Sequence, residues 1–154
     1  MQMKQVVPLF AALAALIAGA AVAQGQELRL PGLDRGELTE GELSQGTQIV
    51  VFWTSWAPRG RDIVDRVNAL VDRWGDRARV VTINFQEDGG AVRSFLAGKP
   101  PLKAPVFLDR DGELSKRNHV NSAPWLLILK DGRVSFSEKL PQDPDAVVAQ
   151  VLGS

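Results

Sequence analysis

The side chains that perform redox, metal and nucleophilic chemistry are almost missing from this chain. It has no cysteine and no tyrosine, and among its 154 residues there is one histidine, His119. Thiolate attack and disulfide exchange are therefore closed to the chain on its own. Zinc, copper and haem sites need clusters of Cys, His or Met. Both methionines, Met1 and Met3, stand at the extreme N-terminus, so neither a metal nor a cofactor is expected. Asp109-Arg110-Asp111-Gly112 has the opening of a calcium loop but lacks the rest of the twelve-residue ligand pattern, and it reads as a solvated turn. His119 reads as an ordinary helix-end residue. Arg59 and Arg61 flank a helix start, where unpaired N–H groups favour anions, although solvated surface charge is the plainer role for them.

The elements that position these residues follow from periodicity. Ile49-Val50-Val51-Phe52-Trp53 is an uninterrupted apolar run that suits a strand buried on both faces. Ile63, Val64, Val67, Leu70, Val71 and Trp74 form one helical stripe, with Asp62 and Arg66 spaced for an i,i+4 pair on the polar face and Gly75 as a stop. Further strands are expected at 79–85, 106–108 and 125–129, and short helices at 91–97 and 113–118. Asp131-Gly132 signals a two-residue hairpin, so 133–136 should pair antiparallel with the strand before it. A last helix is expected over 143–152, with Pro144 in its first turn. Phe52, Phe85, Phe95 and Phe107 are expected in the core. Strands alternating with helices imply right-handed parallel crossovers, and the closing hairpin makes the sheet mixed. The expected class is α/β, a mixed parallel and antiparallel sheet with helices on both faces.

The chain divides into three parts. Residues 1–23 read as a signal peptide: Lys4 in a short n-region, an apolar h-region over 6–20, and the small-x-small site Ala21-Val22-Ala23. Residues 24–46 read as an extended lead-in with a short edge strand or turns, and residues 47–154 as the main domain. The expected location is periplasmic or secreted, in a bacterium, with no stable membrane insertion after cleavage. The chain carries 18 basic and 18 acidic side chains. Removing Lys4 leaves one excess acid, so no global field recommends nucleic acid as a partner.

The segment Val50-Val51-Phe52-Trp53-Thr54-Ser55-Trp56-Ala57-Pro58-Arg59-Gly60-Arg61 resembles the active-site segment of TlpA/ResA-like thioredoxin-fold proteins. That family reads strand, then a tryptophan, then two cysteines separated by two residues, then helix. Trp56 matches the tryptophan before the first cysteine. Ala57 takes the first cysteine position and Gly60 the second, with Pro58 and Arg59 between them. Asn121-Ser122-Ala123-Pro124-Trp125-Leu126-Leu127-Ile128 resembles the family's second signature, whose proline is cis and faces the redox pair; the resemblance assigns that role to Pro124. It extends over roughly residues 27–152.

The resemblance implies a thioredoxin-like fold in which both sulfurs are gone. In the family, a helix N-terminus lowers the thiol pKa from about 8.5 to about 7 or below. Here Ala57 offers no nucleophile and Gly60 no side chain to resolve a mixed disulfide. No enzyme activity is therefore expected. The leading expectation is a redox-inactive exported domain that binds a protein or peptide at the former active-site face, through Trp56, Arg59, Ala123 and Trp125 beside Pro124. Trp125 would either cap the groove or fill space left by the sulfurs. The alternatives are an enzyme using a partner's thiol or another chemistry, and a structural module of an envelope assembly.

Overall fold

The computed structural model describes residues 26–153. The signal peptide expected over 1–23 lies outside them. The lead-in contains β1 (Arg29–Pro31), β2 (Glu37–Thr39) and the one-turn helix α1 (Glu40–Leu43). The main body follows as β3 (Thr47–Trp53), a 3₁₀ turn (Pro58–Gly60), α2 (Ile63–Trp74), β4 (Arg79–Phe85), α3 (Gly89–Leu96), β5 (Val106–Asp109), α4 (Glu113–Arg117), β6 (Trp125–Lys130), β7 (Arg133–Lys139) and α5 (Pro144–Leu152).

Five strands form one sheet in the order β5-β4-β3-β6-β7. β3 pairs parallel with β4, and β4 parallel with β5. β6 and β7 run antiparallel to their neighbours. The expected mixed thioredoxin-like sheet is present, with β3 at its centre. Asp131 (φ 48°) and Gly132 (φ 78°) make the hairpin between β6 and β7. Left-handed backbone at both central positions matches the twist of the flanking strands.

Side-chain alternation along β3 splits the core into two layers. Ile49, Val51 and Trp53 face α2, α3 and α5, where they meet Val67, Leu70, Val92 and Val148. Val50 and Phe52 face the other way, onto Leu30, Leu38 and Leu43 of the lead-in and Leu114 of α4. Helices thus cover both faces, and each fully buried aliphatic side chain contributes roughly 1.5–3 kcal/mol. With no disulfide, stability rests on these two layers.

The lead-in forms two short strands and adds one turn of helix. β1 and β2 form their own antiparallel pair, and Thr39 and Glu42 cap α1 reciprocally: Glu42 N–H donates to Thr39 Oγ1 at 3.2 Å and Thr39 N–H to Glu42 Oε2 at 2.9 Å. This is the Ser/Thr-x-x-Glu capping box, which was present in the sequence as Thr39-Glu40-Gly41-Glu42. Leu33 N–H donates to Val106 O at 2.8 Å, tying the lead-in to the outer edge of β5. The lead-in leucines belong to the domain core, so packing marks no boundary at residue 46.

Two other expectations are corrected. The Asp62–Arg66 pair does not form: Asp62 sits outside helical geometry (φ −100°, ψ 16°), and the Arg66 guanidinium donates to Pro141 O instead. The Asp109–Gly112 turn is solvated at Arg110 and Asp111 but not at Asp109. Asp109 is 1% exposed, and its carboxylate accepts from Ser115 N at 2.9 Å, Ser115 Oγ at 2.7 Å and Leu114 N at 3.3 Å. It anchors the first turn of α4, whose short length leaves little else to hold it. Among the described residues no cluster of three or more His, Cys, Asp or Glu side chains is placed to hold a metal.

Candidate functional site

β3 delivers the site. Trp53 and Thr54 are buried at its C-terminal end, and the chain then leaves the sheet through Ser55 and Trp56. Ala57 is 5% exposed and Trp56 64%. Ala57 O accepts from Gly60 N–H at 2.9 Å, closing the 3₁₀ turn. Pro58 opens that turn because it has no N–H to lose there.

The α-helix proper begins only at Ile63, after Arg61 and Asp62. The expected helix start flanked by Arg59 and Arg61 is therefore displaced: Arg59 lies within the 3₁₀ turn and Arg61 in the link that follows. Asp62 makes no side-chain cap bond. Ala57 caps a single short turn rather than α2, and a single turn aligns few peptide dipoles.

The two positions that the resemblance matches to cysteines, Ala57 and Gly60, face each other. A Cβ built on Gly60 lies 3.8 Å from Ala57 Cβ and 3.2 Å from Thr54 O. Cβ–Cβ separations in disulfides run about 3.5–4.5 Å. The backbone keeps the span of a dithiol site without the sulfurs.

Opposite this turn lies the Asn121–Pro124 loop. The Ala123–Pro124 peptide bond is cis, the isomer that the resemblance implies. Pro124 O accepts from Leu140 N–H at 3.0 Å. Neither the N–H nor the C=O of Ala123 has a hydrogen-bond partner among the described residues.

A groove of about 890 Å³ runs between the two segments. Its lining includes Arg59, Arg61, Arg66 and Lys139, with Asp62 the one acidic residue and Pro124 on the far wall. A smaller pocket of about 180 Å³ lies on the other side of Ser122 and Ala123, with Trp56 and Lys116 in its lining. Arg59, Ala123 and Pro124 thus share the main groove, while Trp56 stands at the adjoining pocket.

Trp125 is not brought into either space. Its ring packs against the lead-in face of the core, and its indole N–H donates to Ser137 Oγ at 3.0 Å across the β6–β7 pair. Trp125 therefore neither caps the groove nor packs beside Ala57 and Gly60, where a Gly60 Cβ would meet only Thr54 O and Ala57 Cβ. His119 is exposed just after α4, in left-handed backbone (φ 56°). Phe52, Phe85 and Phe107 are buried. Phe95 is half-buried and packs its ring 5.4 Å from that of Trp53.

One functional neighbour escaped the sequence reading. Glu87, in the link between β4 and α3, reaches under the site. Its carboxylate accepts from Ser55 N–H at 2.8 Å, from Asn84 Nδ2 at 2.7 Å and from the Ser55 hydroxyl. It therefore fixes the strand exit that carries Trp56 and Ala57. Nearby, Thr54 Oγ1 and Asn84 Oδ1 are buried without a hydrogen-bond partner among the described residues. A glutamate more than thirty residues from Ser55 carries no local signal of this contact.

No family model matches this chain. It is 27% identical over 140 residues to sporulation thiol-disulfide oxidoreductase A of Bacillus subtilis, covering 83% of this chain and 84% of that protein. The structure of StoA from Bacillus subtilis superposes with a TM-score of 0.64 at 24% identity, over 78% of this chain and 92% of that one. A secreted Mycobacterium tuberculosis disulfide oxidoreductase homologous to E. coli DsbE gives a TM-score of 0.67 at 20% identity, over 81% and 94%. The chain has a thioredoxin-like fold and is homologous to thiol-disulfide oxidoreductases of this type, yet it contains no cysteine.

Proposed function

We propose that this protein is an exported, redox-inactive thioredoxin-like domain that binds an extended polypeptide segment at the former active-site face. One observation carries the reading: the Ala57–Gly60 turn and the cis-Pro124 loop still face each other across an open groove, with no sulfur between them. The unpaired N–H and C=O of Ala123 support it, because they offer an extended chain the hydrogen bonds of an added strand. Trp56 supports it as well, as one of only two large apolar side chains exposed among the described residues. Homology to thiol-disulfide oxidoreductases, one structural neighbour of which is a secreted protein, supports export.

The test combines an activity assay with peptide selection. The purified protein should leave insulin disulfides intact, and turnover above buffer would overturn redox inactivity. Decapeptides selected on the wild-type protein should lose binding to Trp56→Ala and Arg59→Ala, separately and together. Binding that ignores both substitutions would move the site elsewhere.

A further inference from the structure

The charge of the groove is out of proportion to the charge of the chain. The whole sequence carries 18 basic and 18 acidic side chains. The groove beside Pro124 is lined by four cations, Arg59, Arg61, Arg66 and Lys139, and one anion, Asp62. Three of the cations are uncommitted: Arg59, Arg61 and Lys139 form no ion pair or side-chain hydrogen bond among the described residues. Elsewhere Arg29, Arg79, Arg93, Lys103 and Arg117 are each paired with a carboxylate, while among the described residues Arg35, Arg110 and Arg133 are unpaired but lie outside the groove, so what sets the groove apart is that its free cations converge on one space. Asp62 lies within the groove but within ion-pair distance of none of these cations, so it offsets one charge without closing the site.

Resting on the binding role just proposed, we infer that the groove selects an acidic extended segment of a protein partner. The backbone of Ala123 supplies the strand-like hydrogen bonds, and these are indifferent to sequence. Arg59 and Arg61 stand on one wall, and Lys139 comes from the edge strand β7. An extended chain presents side chains on alternate sides, so carboxylates at alternate positions reach the cationic lining while the backbone stays against Ala123. A focused positive groove on an otherwise neutral protein steers acidic partners and disfavours basic ones, which is how charge confers selectivity at interfaces. A free inorganic anion would find the cations but would make no use of the unpaired Ala123 amide and carbonyl.

Fluorescence anisotropy with three labelled decapeptides tests this, using alternating Glu-Ser, Gln-Ser and Lys-Ser sequences. The Glu-Ser peptide should bind about tenfold or more tightly than the Gln-Ser peptide at low ionic strength, and the gap should shrink with added salt. The triple variant Arg59→Glu, Arg61→Glu, Lys139→Glu should reverse the order and favour the Lys-Ser peptide. These side chains are exposed and make no structural bonds, and an unchanged melting temperature checks that the variant folds. Equal affinity for Glu-Ser and Gln-Ser would overturn acid selectivity while leaving peptide binding standing. Binding of none of the three would overturn both. Glu-Ser binding that survives the triple variant, or full displacement of it by inorganic phosphate at matched ionic strength, would overturn the inference.

Discussion

A β-carbon on Gly60 would stand 3.8 Å from the β-carbon of Ala57. The two residues are closed into one turn by the Gly60 N–H to Ala57 O bond, and both are buried. That relationship makes the match of Ala57 and Gly60 to a dithiol pair testable. Ala57→Cys/Gly60→Cys should form an intramolecular disulfide on oxidation, seen as a loss of two mass units and of titratable thiol. Its reduced form should attack insulin disulfides where the wild type does not. The side chain added at Gly60 has to displace Thr54 O slightly from its 3.2 Å approach, so the single Gly60→Cys variant should melt a little below wild type. A double variant that folds but keeps two free thiols under oxidant would show that the turn has lost dithiol geometry.

Glu87 holds the strand exit through Ser55 and Asn84. Removing it strands a buried Asn84 amide and frees the Ser55 backbone. Hydrogen bonds to a charged group contribute about 1.5–3 kcal/mol each, so Glu87→Ala should cost at least that much in chemical denaturation. Amide exchange at Ser55 should accelerate in the same variant. Glu87→Gln should recover part of the loss, since it keeps one acceptor oxygen.

Asp109 has the same role for α4. Asp109→Ala leaves the Ser115 hydroxyl and the N–H groups of Leu114 and Ser115 without their acceptor. The expected destabilisation is about 2–3 kcal/mol, read from urea unfolding. An effect below half of the lower figure would mean that water replaces the carboxylate.

The α1 capping box predicts an acid response. The Thr39 backbone N–H bond holds the Glu42 carboxyl below the usual glutamate range, with Arg79 adding to the effect. A depressed folded-state pKa gives stability that is present above the unfolded glutamate value and lost as pH falls through the folded one. The wild type should therefore lose more stability than Glu42→Gln on acidification below about pH 4.5. Thr39→Ala should cost about 1 kcal/mol at neutral pH. Both are measurable by thermal melts across pH. Identical slopes for wild type and Glu42→Gln would remove Glu42 from the account.

Trp56 and Trp53 should separate binding from stability. Trp53 is 1% exposed and stacks near Phe95, so Trp53→Ala should cost about 3–5 kcal/mol. Trp56→Ala should leave the melting temperature within about a degree of wild type, as exposed substitutions usually do. A large loss from Trp56→Ala would assign it to the fold rather than to a contact surface.

The fold was legible where burial imposed a period. The β3 run, the α2 stripe and the Asp131-Gly132 turn each carry a local pattern that leads to one structure, and all three formed where expected. At the site, Pro58, Arg59 and Pro124, singled out by their family-like spacing, line one groove, while Trp56 lines the pocket beside it. What stayed hidden depends on contacts between distant residues. Glu87 meets Ser55, Arg66 prefers Pro141 to Asp62, and Trp125 bonds to Ser137. Each of these polar groups is satisfied by a partner that only the folded chain brings near, and a local pattern records none of them. The capping box of α1 is the exception: its signal was local and was masked by the sparse apolar content around it.

The register of β3 has a kinetic consequence. One edge of this central strand is filled by β4, which follows within a single helical crossover, but the other is filled by β6, with Thr47 opposite Lys130. This central strand therefore keeps one ladder edge open until nearly the whole chain is available. A nascent chain ending before Trp125 presents that edge to any other strand nearby, so productive folding has to wait for the C-terminal hairpin. Such late closure makes the pairing of β3 with β6 a non-local, slow step of folding.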